Sequence, residues 1–225
     1  MKRWLRFTAA VLAAAFLFAL TGCGSSTNSA SFTWFVDSIP ANLDPQVASG
    51  ASDVIACENL YGTLVRKDPD GELVPGLCEK WTVSPDGLTY TFTLKDGLTY
   101  AAAKGAATEY DITAEDFVFA FRRIFRADTA SPYAVEFSAI QNSAAVQAGL
   151  ADESSLGVSA NGALTLVFRL SERDDNFLAK LALPGAAPCD EAFFESTRGT
   201  YGLTAKTTLA SGCLLYTSPS PRDRG

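Results

Sequence analysis

From Leu88 to Leu94 apolar and polar residues alternate without a break: Leu88, Tyr90, Phe92 and Leu94 against Thr89, Thr91 and Thr93. A side-chain period of two puts one face on a core and the other towards water, so the stretch reads as a strand. Asp86-Gly87 and Asp96-Gly97 flank it, each opening a copy of the repeated pentapeptide DGLTY. Asp-Gly tolerates the positive φ that turns require, and the pattern predicts a meander of Trp81–Val83, Leu88–Leu94 and Leu98–Tyr100. The stretch 156–170 repeats the logic. Leu164, Leu166, Phe168 and Leu170 alternate with Thr165, Val167 and Arg169, and Asn161-Gly162 signals a type I′ hairpin turn. A short aromatic and β-branched run at 31–37, SFTWFVD, predicts another strand, and Asp68-Pro69-Asp70-Gly71 predicts a turn.

Elsewhere the apolar period lengthens. Val54, Ile55, Leu60, Tyr61 and Leu64 fall roughly on one helical face, with Ser52 placed to cap its start. In ITAEDFVFAFRRIF, Thr113 and Asp116 form a capping-box pair, and Phe117, Ala120, Phe121, Ile124 and Phe125 make an apolar stripe. Arg122, Arg123 and Arg126 gather at the C-terminal end, where the helix dipole favours cations, and read as a solvated helix end. A helix from about Asp174 to Leu181 and a shorter one over Asp190–Thr197 complete the series, with a small-residue loop over 101–110. Antiparallel hairpins interleaved with helices make the fold class α+β.

The two ends break these periods. Lys2, Arg3 and Arg6 precede an apolar run, Phe7–Leu20, that is shorter than the roughly 20 residues a membrane span needs and fits a secretory signal. LTGC, Leu20 to Cys23, resembles the lipobox of bacterial lipoproteins, which implies a signal peptide over 1–22 and a lipidated Cys23 at the mature N-terminus. Small polar residues over 23–31 then read as a flexible tether. At the other end, CLLYTSPSPRDRG (213–225) carries no periodicity and resembles a translated adaptor sequence, so a non-native tail on a truncated chain is expected.

Charge and missing residue types narrow the chemistry. The chain carries a net charge of −7. With no basic stripe to displace counterions, nucleic acid is not an expected partner. There is no histidine, which excludes Ser-His-Asp triads, Cys-His pairs and HExxH zinc sites within these 225 residues. No glycine-rich phosphate loop is present either. The adjacent carboxylates Glu115/Asp116, Asp152/Glu153 and Asp174/Asp175 sit at helix starts or in loops, where capping and solvation are their usual work. No cofactor and no metal are expected, and the chain reads as a binder, not an enzyme. Of five cysteines, Cys57, Cys78 and Cys189 lie outside the two ends. A Cys57–Cys78 disulfide and three separate buried thiols both fit the spacing.

Several stretches, in order behind a lipobox, resemble the extracytoplasmic solute-binding proteins of bacterial peptide ABC transporters, the oligopeptide- and dipeptide-binding family. They are NLDPQ, ENLYGTLVRKDPDGELVPGLCEKWTVSPDGLTYTFTLKDGLTY, TAEDFVFAFRRI, TASPYA and LALPGAAP. The resemblance covers about Trp34 to Gly212. It implies part of a two-lobed fold of the type II periplasmic-binding kind that closes over an extended peptide. It also implies an arrangement in which 32–61 and 190–212 contribute to lobe I and 62–189 forms a subdomain packed on it. The partners it implies are short peptides, membrane-embedded permease subunits of an importer, and the membrane itself through Cys23, outside the cytoplasm. Carried over by position, Ser49, Gly50 and Ala51 would pair their main chain with the peptide, and Tyr133 would present its ring or hydroxyl to it. A binder of nickel, haem or sugar in the same family, and a surface lipoprotein enzyme or adhesin, are the competing expectations.

Overall fold

The structure, a computed structural model, describes residues 38–101 and 110–212. The strand expected over 31–37, the signal, the tether, Cys23, most of the loop over 101–110 and the tail from 213 lie outside the described residues. The described residues fall within one unit that begins at Asp37.

The chain runs helix α1 (Ala51–Leu60), a hairpin of β1 (Val65–Lys67) and β2 (Leu73–Pro75), then β3 (Cys78–Val83) and β4 (Thr89–Leu94). Helix α2 (Ala114–Phe125) follows, then α3 (Ser143–Gln147), β5 (Val158–Ala160), β6 (Thr165–Arg169), α4 (Phe177–Lys180) and α5 (Glu191–Ser196). Strands β3 to β6 form one antiparallel sheet in the order β3-β4-β6-β5, and β1 and β2 pair separately. Gly71 sits at φ +87° in the β1–β2 turn, as its Asp-Pro-Asp-Gly context predicts.

The alternation of β4 is the geometry of the core. Tyr90, Phe92 and Leu94 are buried while Thr89, Thr91 and Thr93 are not. In register across the sheet, Tyr90 faces Phe168 and Phe92 faces Leu166, so apolar meets apolar on one face. Phe92 meets Phe168 edge to face at 5.8 Å, and Phe121 of α2 meets Phe168 at 4.9 Å. Phe137 and Phe177 close the cluster. Such aromatic pairs contribute about 0.5–1.5 kcal/mol each beyond the area they bury. Thr113 caps α2 in the expected reciprocal manner, with the Asp116 carboxylate accepting from the Thr113 amide at 2.7 Å.

The structure corrects five expectations. Leu98–Tyr100 does not join the sheet as a third limb. Both edges of β4 are already taken by β3 and β6. Thr99 bridges Asp111 instead, and Tyr100 donates to the Tyr110 carbonyl at 2.8 Å. The β5–β6 connection is not type I′, which needs positive φ at both central residues. Gly162 has φ +73° but Asn161 is not at positive φ, and the Asn161 amide donates to the Thr165 carbonyl at 2.8 Å around a longer loop. Helix α1 starts two residues earlier than Ser52 would cap it. Gly50 is the N-cap, and the Ser52 hydroxyl, already inside the helix, pairs with Ser38. The helix expected over 174–181 is confined to Phe177–Lys180, because Asp174 holds the residues before it in a turn, its carboxylate accepting from the Asn176 amide and its carbonyl from the Phe177 amide. Finally, Arg123 is not at a solvated helix end. It is 3% exposed.

Candidate functional site

The residues before Ser49 are buried and tied down. Leu43, Asp44, Gln46 and Ala48 are all buried. The Asp44 carbonyl accepts from the amides of Val47 and Ala48, and the Leu43 amide donates to the Gly202 carbonyl at 2.8 Å. Gly202 has φ +75°, and a Cβ there would sit 2.2 Å from the Asp44 nitrogen, so the two backbones meet at a distance only glycine allows. The Tyr61 hydroxyl donates to the Leu43 carbonyl at 2.6 Å. Directly after this pinned loop, Ser49, Gly50 and Ala51 are exposed. Gly50 is extended, at φ −69° and ψ 144°. It therefore needs no positive φ. A Cβ there would lie 3.3 Å from an Asp53 carboxylate oxygen, so glycine relieves crowding at the first turn of α1.

Tyr133 lies in the 3₁₀ turn Pro132–Ala134, opened by Pro132. It is 8% exposed. Its ring lies flat against Gly185: a Cβ at 185 would be 2.4 Å from the ring carbon Cγ. Burial, with Cys57 and Glu58 adding to it, pushes the phenol up to about 12. The hydroxyl is thus a neutral hydrogen-bonding group at physiological pH. Among the described residues the Tyr100 and Tyr201 hydroxyls and the Nε atoms of Arg122 and Arg123 are sealed without a partner; the Tyr133 hydroxyl is not one of these. Ser49–Ala51 stand at the N-terminal end of α1, whereas Tyr133 has Cys57 and Glu58 of its C-terminal half as electrostatic neighbours.

One polar network joins the loop to the Tyr133 turn. The two terminal nitrogens of Arg123 donate to the two carboxylate oxygens of Asp44 at 3.2 and 2.5 Å. Nη1 also donates to Gln46 Oε1 at 2.7 Å. Gln46 Nε2 in turn donates to the carbonyls of Gly185 (3.2 Å) and Ala187 (3.0 Å). The Ser131 hydroxyl donates to the Gln46 carbonyl at 2.5 Å and accepts from the Tyr133 amide at 3.2 Å. The Phe194 ring stacks under the guanidinium at 4.0 Å. The sequence pattern assigns Arg123 to solvent and gives Gln46 and Ser131 no individual role. A signal for Arg123 was present: Phe119, four residues earlier and so on the same side of the helix, is apolar, which marks that side as covered.

Beside this region lies a cavity of about 850 Å³ bounded by Glu58, Tyr61, Arg66, Leu77, Leu183 and Pro184 among others. Neither Ser49–Ala51 nor Tyr133 lines it. The described cysteines offer no nucleophile. Cys57, Cys78 and Cys189 are free and buried, which decides for separate thiols over a Cys57–Cys78 bridge. Burial pushes Cys57 and Cys189 up to about 12, far from the thiolate form that attacks substrates. Among the described residues no group of three or more metal-ligating side chains converges, and no helix is long and apolar enough to cross a membrane.

The family described as bacterial extracellular solute-binding proteins, family 5 Middle, matches residues 72–212. The chain belongs to this family. Its relatives include the oligopeptide-binding protein AliA of Streptococcus pneumoniae, 30% identical over 211 residues, which cover 93% of this chain and 31% of AliA. A probable deoxycholate-binding periplasmic protein, YgiS of Escherichia coli, is 35% identical over 151 residues, 66% of this chain and 27% of that protein. Among solved structures, the substrate-binding domain of an oligopeptide ABC transporter from Bacillus anthracis superposes with a TM-score of 0.72 at 31% identity. It covers 77% of this chain and 32% of that one. The chain therefore spans about a third of the length of such relatives. Its mixed helices and sheet belong to the type II periplasmic-binding fold of peptide-binding proteins, of which it holds part.

Proposed function

We propose that this chain is part of the substrate-binding component of an ABC importer, which captures short peptides outside the cytoplasm and hands them to membrane-embedded permease subunits. Recognition runs through the peptide main chain, paired strand-fashion with Ser49, Gly50 and Ala51, while Tyr133 backs the same ligand. One observation carries the reading: a loop buried and bonded at Leu43, Asp44, Gln46 and Ala48 ends abruptly in three small exposed residues. Small side chains on a rigid support leave backbone amides and carbonyls open to approach, and main-chain pairing suits a binder that must accept many sequences. Binding, not turnover, is the activity. Residues 32–61 and 190–212 build lobe I, 62–189 pack on it as a subdomain, and lipidated Cys23 holds the protein at the membrane surface.

Native mass spectrometry of the product of the full reading frame, purified without denaturation, tests the reading: co-purifying masses of short peptides are expected. Recovery of a non-peptide solute in their place would overturn it. The likeness to a relative described as deoxycholate-binding makes an apolar acid the specific second reading, and the same spectra distinguish the two.

A further inference from the structure

We infer that Gln46, held by Arg123, is a positioning residue that fixes the Ser49–Ala51 loop relative to Tyr133; the inference rests on the peptide-binding reading above. Arginine donates and never accepts, so a guanidinium at 2.7 Å from Gln46 Oε1 dictates which end of that amide faces it. The NH₂ end must then point the other way, and there it meets the carbonyls of Gly185 and Ala187. Gly185 is the residue on which the Tyr133 ring lies, with no room for even one added carbon. From the same residue the Gln46 main-chain carbonyl accepts from Ser131, whose oxygen also receives the Tyr133 amide. Gln46 therefore grips the Tyr133 turn from two sides while standing three residues before Ser49.

The chemistry of the anchor sets how stiff this grip is. Gln46 is completely buried and Arg123 nearly so. Asp44 supplies the counter-charge across a two-pronged contact, which holds the guanidinium plane in one orientation. A buried amide whose oxygen and nitrogen are both engaged cannot flip without leaving polar atoms unpaired. The spacing between the loop and the aromatic is thus set before any ligand arrives, which lowers the ordering cost of binding.

The test titrates tri-alanine, a probe with almost nothing but main chain, into the product of the full reading frame by calorimetry. Four proteins are compared: unaltered, Gln46→Ala, Tyr133→Phe and the double variant, each with its thermal unfolding recorded. Gln46→Ala is expected to weaken binding about tenfold, the worth of one or two hydrogen bonds. With Phe at 133 the same change is expected to cost about twofold or less, because the group being positioned is gone. A purely structural role would shift unfolding but give equal affinity losses in both backgrounds, and that result overturns the inference. Should Gln46→Ala not fold, Ser131→Ala replaces it in the same cycle, since it cuts the second grip on the Tyr133 amide. Unaltered protein that fails to bind tri-alanine, or longer alanine peptides, would sink the peptide reading and the inference with it. Unaltered protein that binds while Gln46→Ala and Ser131→Ala bind equally well would sink the inference alone.

Discussion

Arg123 shows how far one side chain can depart from what its neighbours in sequence imply. With Arg122 and Arg126 it sits in the last turns of α2, where cations are ordinarily solvated. Its burial against Asp44 and Phe194 comes from α5 and the loop 42–48 covering the second face of the helix. A buried pair of this kind is costly to break one-sidedly, because the surviving charge keeps its desolvation penalty. Arg123→Met is expected to destabilise the folded chain by about 3–5 kcal/mol, read from urea unfolding. Arg173→Met, in the exposed pair with Asp175, is expected to leave the urea midpoint essentially where it is, because solvent screens that pair. At Gly185 the argument is steric instead. Alanine there would drive a methyl to 2.4 Å from the Tyr133 ring, and overpacking of that order costs about 1–3 kcal/mol. Unfolding of Gly185→Ala at the same stability as the parent would show that the turn yields freely.

At the scale of elements, the repeated DGLTY marks two similar turns with different sequels. Gly87 and Gly97 both adopt positive φ, at +73° and +67°, as the dipeptide requires. Only the first copy leads into a strand of the sheet. The second leads into a short pairing with residues 110–112. Local chemistry set the turns, and the free edges of the sheet set the partners. The capping box of α2 carries a pH consequence. Burial first, then the nearby charge of Asp190, pushes the Asp116 carboxyl from an ordinary 3.8 up to about 6, against the hydrogen bonds from Thr113 that pull it down. A raised acid binds its proton more tightly in the folded state. Its contribution to stability is complete below about pH 4 and is lost as pH rises through about 6. Asp116→Asn keeps an acceptor for the Thr113 amide but cannot ionise. Relative to the parent it is expected to gain about 2 kcal/mol between pH 4.5 and 7.5, measured by chemical unfolding at both values. A constant difference across that range would mean that Asp116 titrates normally.

For the whole molecule, the apolar stripe of α2 and the alternating faces of β4 and β6 build one aromatic core that carries the Tyr133 turn, while the loop before Ser49 packs in a second cluster of Leu43, Ala48, Cys57, Leu60 and Tyr61. The proposed attachment at Cys23 is a separate matter of cell biology with a direct test. Cys23→Ser is expected to move the protein from the membrane fraction to the soluble extracytoplasmic fraction and to abolish incorporation of labelled fatty acid. Retention in the membrane fraction without label would exclude the lipid anchor.

Period and turn chemistry were enough to place β4, β6, α2 with its cap, and the β1–β2 turn, because each depends on contacts a few residues apart. The motif stretches were enough to point to the family, and they are the ground on which Ser49–Ala51 and Tyr133 are proposed to meet the ligand. Which edge Leu98–Tyr100 would find, that Ser52 would bond Ser38 instead of capping, and that Arg123, Gln46 and Ser131 would join the loop to the Tyr133 turn were decided only by the tertiary structure. Those contacts link residues far apart in the chain, between Asp44 and Arg123 or Gln46 and Gly185. A buried charge or amide is stable only when such distant partners arrive, and no local pattern announces them.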